Sequence, residues 1–121
     1  DCLLHTVCES LIGALSLGDL GKLFPDTSEE FKGINSSLLV QQVMKVVKEK
    51  GYKVVNIDST IFLESPKLLE YKEEMRENIA KLLEIDVDYV SVKATTSEKV
   101  GFIGRKEAIM TESVVLVERI K

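Results

Sequence analysis

Lys53-Val-Val-Asn-Ile-Asp-Ser-Thr-Ile-Phe-Leu63 is the stretch from which the fold is read. It alternates apolar with polar positions and is rich in Val, Ile and Thr, which predicts a strand. Before it, Asn35-Ser36-Ser37 can cap a helix that continues through Leu38, Leu39, Val43, Val46 and Val47 and stops at Gly51. After it, Ser65-Pro66 starts a turn. Pro66 can open a helix that runs to about Glu84, with Leu69, Met75, Ile79, Leu82 and Leu83 on its buried side. Val87 to Ala94 and Ala108 to Glu118 predict two more strands, separated by a loop from Thr95 to Arg105 that holds Gly101 and Gly104. Towards the N-terminus, Leu3, Leu4, Val7, Leu11, Ala14 and Leu15 recur at three and four, so residues 1–17 predict an amphipathic helix ended by Gly18. Gly18 to Ser28 is dense in turn residues. The order is helix, helix, strand, helix, strand, strand. It implies an α/β fold of the α+β kind: a two-layer sandwich, with a mixed sheet and helices on one face.

The 121 residues suffice for one domain. Apolar residues make up 45% and charged residues 30%, which argues against disorder. The longest apolar runs, such as Ser113-Val-Val-Leu-Val117, fall far short of the ~20 residues of a membrane helix. Sixteen Lys and Arg against twenty Asp and Glu give a net charge of −4. No basic stripe with interleaved aromatics is present, so neither a membrane nor nucleic acid is an expected partner. Cys2 and Cys8 form no disulfide framework and no zinc ribbon, a usage that fits a reducing compartment. The chain opens at Asp1 inside what reads as the body of a helix, so an upstream segment is expected to be missing.

Three loops and one helix face carry polar groups capable of chemistry. Asp1, His5 and Glu9 are four apart and share a helix face. His5 is the chain's single histidine, and an imidazole one turn from a carboxylate suits a metal such as zinc. The plainer reading is a surface charge stripe, with Glu9 either supporting His5 or simply solvated. Next comes Asp19-Leu20-Gly21 with the following Phe24-Pro25-Asp26-Thr27-Ser28. Glycine lets backbone approach a ligand and a carboxylate can receive ribose hydroxyls, although an ordinary Asp-initiated turn has the same pattern. The third segment, Lys93-Ala-Thr95-Thr96-Ser97-Glu98-Lys99 with Gly101-Phe102-Ile-Gly-Arg105, offers hydroxyls to phosphate oxygens. Within it Glu98 is an oxygen ligand for a hard cation and Arg105 a fork for an anion. A capping box over Thr95 and Glu98 is the alternative, but Gly101, Gly104 and a β-branched run follow where a helix should continue. Last, Leu63-Glu64-Ser65-Pro66-Lys67 passes from strand to helix, and its backbone could read a base edge or simply turn.

Taken together, Ser16-Leu-Gly-Asp-Leu-Gly-Lys-Leu-Phe-Pro-Asp-Thr27, Phe31-Lys-Gly33 and the segment from Lys93 to Arg105 resemble the 2-C-methyl-D-erythritol 2,4-cyclodiphosphate synthase family. These enzymes belong to the non-mevalonate route to isoprenoids. The resemblance rests on several motifs in order and runs from Asp1 to the last strand. It implies a single synthase domain over residues 1–121 that forms a homotrimer with active sites between neighbouring subunits. The implied substrate is a cytidine-diphosphate methylerythritol phosphate, converted to a cyclic diphosphate with release of CMP.

The same resemblance implies roles for individual residues. His5 would hold zinc with an Asp-x-His pair upstream of Asp1, and Glu98 would hold magnesium or manganese. Thr96 would stand in the place of the transition-state stabiliser, with Thr95, Ser97 and Glu98 as further substrate contacts. Asp19, Leu20 and Gly21 match the loop near the nucleotide sugar and the erythritol part. Phe24, Pro25, Asp26, Thr27 and Ser28 match the substrate loop. The cytosine pocket would be built by Leu63, Glu64, Ser65 and Pro66, continuing through Lys67, Leu68 and Leu69. Phe102 and Arg105 close the phosphate loop, and Arg105 and Glu112 would lie near the trimer axis, where a channel in some members accepts isoprenoid diphosphates. The expected location is the bacterial cytosol, or a plastid-type organelle in a eukaryote. Two other readings are a non-catalytic nucleotide- or metabolite-binding module and an inactive fragment of the synthase.

Overall fold

The quoted strand stands at the centre of a three-stranded sheet with the order β2-β1-β3. The computed structural model describes residues 2–25, 35–64 and 70–120. Strand β1 (Tyr52–Phe62) pairs in parallel with β2 (Val90–Thr95) and antiparallel with β3 (Met110–Arg119), so the sheet is mixed. Strict alternation along β1 is broken once. Its register with β3 shifts between Val54 and Asn56, so the extra residue turns Val54 to the same side as Ile57, Ser59 and Ile61. All four are buried. Ser59 is fully buried and polar, and its hydroxyl is hydrogen-bonded to the Ser113 hydroxyl at 2.7 Å.

Helices cover that face. They are α1 (Cys2–Ala14), the single turn α2 (Leu20–Leu23), α3 (Ser36–Glu49) and α4 (Lys72–Leu83). Val7, Cys8, Leu11 and Ile12 of α1 meet Val40, Val43 and Val47 of α3 and Ile79 and Leu83 of α4 over Ile57, Ile61 and Val92. The parallel pairing of β1 with β2 requires a crossover, which α4 supplies. Arg76 ties that crossover down: its Nε donates to the Val90 carbonyl at 2.9 Å and its Nη2 to the Val87 carbonyl at 3.0 Å.

The expected order of elements holds, and the differences lie at ends and faces. Helix α1 stops at Ala14, because Ser16, at φ 56°, takes the left-handed conformation and the Leu17 amide bonds back to the Ile12 carbonyl. Gly18 therefore follows the helix end rather than making it. Ala14 and Leu38 face solvent, while Cys8 and Ile12 take the core positions. Val87–Tyr89 is a 3-10 turn capped by Asp86, so the second strand starts at Val90. A further single turn, α5 (Gly101–Gly104), lies inside what reads as loop in the sequence.

The other sheet face has no helix among the described residues. Val114 and Leu116 stand there 66% and 57% exposed. Lys93 reaches across to Asp58 at 2.8 Å and, by that hydrogen bond, holds its carboxyl below the usual range. Both side chains are about half exposed, so the pair adds little stability.

Leu11→Ala should cost about 2–5 kcal/mol in urea unfolding, because a fully buried side chain leaves a cavity under α3. Leu38→Ala should stay within about 0.5 kcal/mol of the parent. Equal costs for the two would contradict this assignment of the core.

Candidate functional site

Among the described residues, two groups of the polar residues singled out in the sequence lie towards one end of the sheet. There Phe62 of β1 stands in register with Thr95 of β2 on one side and with Met110 of β3 on the other. Beyond the regular ladder the Leu63 amide still donates to the Thr95 carbonyl at 3.0 Å. Next to Met110, Thr111 is hydrogen-bonded to the hydroxyl of Thr6 and, at 3.3 Å, to Sγ of Cys2, which docks α1 on the same end. One cluster thus sits by β3 and the other by β2, strands that flank β1 on opposite sides and lie two strand spacings, roughly 10 Å, apart.

The cluster by β3 is a cleft of about 400 Å³ lined by Cys2, His5, Thr6, Glu9 and Leu20. His5 and Glu9 are exposed on one face of α1, as their spacing predicts, and Asp1 lies outside the described residues. Glu9 is neither a support for His5 nor free in solvent. Its carboxylate accepts the Leu20 amide at 2.6 Å. Asp19 caps the same short helix, its Oδ1 accepting the Lys22 amide at 2.9 Å. The Asp-initiated turn is therefore what the loop contains. Phe24 is buried and anchors the end of the turn, while Gly21 and Pro25 are exposed. Asp26, Thr27 and Ser28 lie outside the described residues.

The cluster by β2 is the segment from Thr95 to Arg105. Its backbone is unusual: Glu98, Lys99 and Gly101 have φ of 58°, 64° and 72°, so two side-chain-bearing residues in succession are left-handed. No capping box forms, since α5 begins only at Gly101 and its N-cap, Val100, makes no side-chain bond. The three hydroxyls are used differently. Thr95 Oγ1 donates to the Thr96 carbonyl at 3.2 Å, and Ser97 Oγ donates to the Val100 carbonyl at 2.8 Å. Thr96 Oγ1 instead accepts the Glu98 amide at 3.3 Å, which leaves its own proton to give. Thr96 and Glu98 are exposed. Arg105 Nε donates to Glu107 at 2.9 Å, so its fork is turned to a neighbour in this chain, and Phe102 is 52% exposed.

Two contacts escaped the sequence reading. Glu64, expected beside a base, places its carboxylate on the loop: Oε2 accepts the Ser97 amide at 3.2 Å and Oε1 the Lys99 amide at 2.8 Å. Gly104 packs on the Lys99 backbone so closely that a Cβ there would lie 2.1 Å from the Lys99 carbonyl carbon. Leu63 is half-buried at the strand end, and Ser65, Pro66, Lys67, Leu68 and Leu69 lie outside the described residues. Among the described residues no group of three or more His, Cys, Asp or Glu side chains is arranged to hold a metal. Among the described residues, His5 and Glu98 belong to no such group.

The chain is similar to known proteins along nearly its whole length. The sequence profile of the YgbB family matches residues 1–118. A protein of Chloroherpeton thalassium named 2-C-methyl-D-erythritol 2,4-cyclodiphosphate synthase is 52% identical over 120 residues, 99% of this chain and 76% of that relative. One of the same name from Clostridioides difficile is 50% identical over 117 residues, 97% of this chain and 73% of that relative. Among solved structures, the bifunctional IspDF from Campylobacter jejuni superposes with a TM-score of 0.93 at 43% identity, over 100% of this chain and 33% of that one. The CDP complex of Plasmodium falciparum IspF gives a TM-score of 0.87 at 30% identity, over 100% of this chain and 72% of that one.

The two cysteines differ in setting. Cys2 is exposed, whereas burial, and then the negative charge of Glu9, push the Cys8 thiol up to about 12. The folded state holds the Cys8 proton where the unfolded chain releases it. That contribution to stability is complete below pH 9.0 and is lost as pH rises towards 12. Titration with a disulfide reagent at pH 8 should modify Cys2 in the folded protein and both thiols in denaturant. Rapid labelling of Cys8 without denaturant would contradict its burial.

Proposed function

The chain belongs to the YgbB family, and from that premise we propose that it works as a 2-C-methyl-D-erythritol 2,4-cyclodiphosphate synthase. The substrate is the cytidine-diphosphate methylerythritol phosphate. An oxygen of its monophosphate attacks the β-phosphorus, the bond from that phosphorus to the bridging oxygen breaks, and the oxygen leaves with CMP. The nucleophile belongs to the substrate. The enzyme's task is to fold a flexible anion into an in-line pose, and such positioning supplies ~7–11 kcal/mol of the barrier.

The observation that carries this reading is the exposed Thr96 hydroxyl, which accepts the Glu98 amide and, among the described residues, donates to no acceptor. In a loop whose other hydroxyls are turned inward, it is the donor left to meet a phosphate oxygen as charge builds in the transition state. Thr95 and Ser97 hold the loop in shape, and we assign the nucleotide sugar and erythritol part to Asp19, Leu20 and Gly21 across the sheet end. Phe24, Pro25, Asp26, Thr27 and Ser28 are assigned to the substrate loop, and Leu63 with Ser65, Pro66, Lys67, Leu68 and Leu69 to the cytosine pocket.

The donor chemistry suits divalent metals. An exposed imidazole suits zinc at His5, and an exposed carboxylate in a loop of hydroxyls suits magnesium or manganese at Glu98. When bound, such ions neutralise phosphate charge, which a chain of net charge −4 does not do alone. Both sets need donors beyond the described residues. A homotrimer with sites between subunits is consistent with two features: the bare sheet face with Val114 and Leu116, and the separation of the His5 cleft from the Thr96 loop within one chain.

Thr96→Val should lower kcat for CMP release by roughly 100- to 1,000-fold while leaving KM nearly unchanged, measured on the full-length protein. A wild-type protein that binds CDP yet releases no CMP from the diphosphocytidyl substrate, with divalent metal present, would favour a binding module instead. Light scattering should give the mass of three subunits. Leu116→Lys should shift it downwards, and an unchanged mass would remove the bare sheet face from the interface.

A further inference from the structure

We propose that Glu64 is a positioning residue that sets the working shape of the Thr95–Glu98 loop, with its carboxylate on the Ser97 and Lys99 amides. The inference rests on the function proposed above. Its two hydrogen bonds straddle Glu98: one amide precedes that residue and the other follows it. The bonds are made by a charged acceptor to backbone donors, a strong class of hydrogen bond. They span residues that the backbone does not favour, because Glu98 and Lys99 are both left-handed without being glycine. A strained conformation persists where its surroundings over-determine it.

The surroundings here come from two sides. On one, Glu64 is carried by the end of β1, where the Leu63 amide extends the ladder to Thr95 by one more hydrogen bond. On the other, Gly104 leaves room for the Lys99 backbone that any Cβ would fill. Glu98 and Thr96 therefore hang from a loop gripped between a strand end and a glycine. The Glu98 amide donates to Thr96 Oγ1, so that oxygen is the acceptor in this bond and the Thr96 proton is not used in it. Loosening Glu64 frees all three settings at once: the direction of Glu98, the acceptor role of Thr96 and the left-handed turn.

The sequence hides this role. Glu64 and its partners are 33 and 35 residues apart, and Glu64 stands in a segment that reads as a strand-to-helix turn and that the family resemblance places beside a base. A charged group in a base pocket and a clamp on the phosphate loop make different demands on a variant. Gln keeps a carbonyl oxygen that can accept an amide hydrogen, and Ala keeps none.

The test uses full-length wild type, Glu64→Ala and Glu64→Gln. In metal-free, unliganded protein, hydrogen exchange at the Ser97 and Lys99 amides should be protected in wild type and accelerated in Glu64→Ala. In steady state, Glu64→Ala should lower kcat for CMP release by about 10- to 100-fold and raise the magnesium needed for half-maximal rate. KM for the diphosphocytidyl substrate should change far less, and Glu64→Gln should recover most of both losses. A folded Glu64→Ala protein with wild-type exchange, kcat and magnesium dependence overturns the proposal. So does a loss carried mainly in KM, or one equal in Ala and Gln. A wild type that releases no CMP overturns the function instead, and the exchange arm then still judges the clamp.

Discussion

Strand β1 is hydrogen-bonded along both edges, parallel on one and antiparallel on the other, and the candidate loop from Thr95 to Arg105 begins where those two ladders end. Phe62 closes both. Past that point the chain segments on either side, Thr95 onward and the approach to Met110, are released from pairing at the same level. Helix α1 is pinned to the same end through Thr6 and Thr111. A loop on a rigid strand end can be irregular without being loose, and the left-handed pair Glu98 and Lys99 shows the degree of irregularity that this support permits.

Much of the fold was legible because it depends on periodicity. The alternation from Lys53 to Leu63, the apolar repeat of α1 and the caps around Asn35 each report a local preference that the tertiary structure confirms. The bulge at Val55 was not legible, since its cause is the need to aim both Val54 and Ile57 inward against helices that lie elsewhere in the chain. The helix end at Ser16 was missed for a related reason. Gly18 is the better left-handed residue by propensity, but hydrogen bonding to Gly13 and Ile12 decides the matter earlier.

The site divides the same way. His5 and Glu9 were placed on one face by spacing alone, and the Thr95–Glu98 loop by its run of hydroxyls between a strand and two glycines. What Glu9 and Glu64 do there was hidden, because a carboxylate gives no sequence sign of which distant amide it will accept. Both acidic residues hold backbone in place. Two of the chain's negative charges are thereby occupied with amide hydrogens.

The hydroxyl pair of Ser59 and Ser113 has a consequence for how the antiparallel edge finds its alignment. If β3 slid by one residue, Ser59 would face an apolar valine or a glutamate, its hydroxyl stranded in the core at a cost of about 1–3 kcal/mol. Two small polar groups, meeting only when the strands are correctly matched, act as a proofreading mark for the pairing, and they do so beneath the helices, where no solvent can excuse an error.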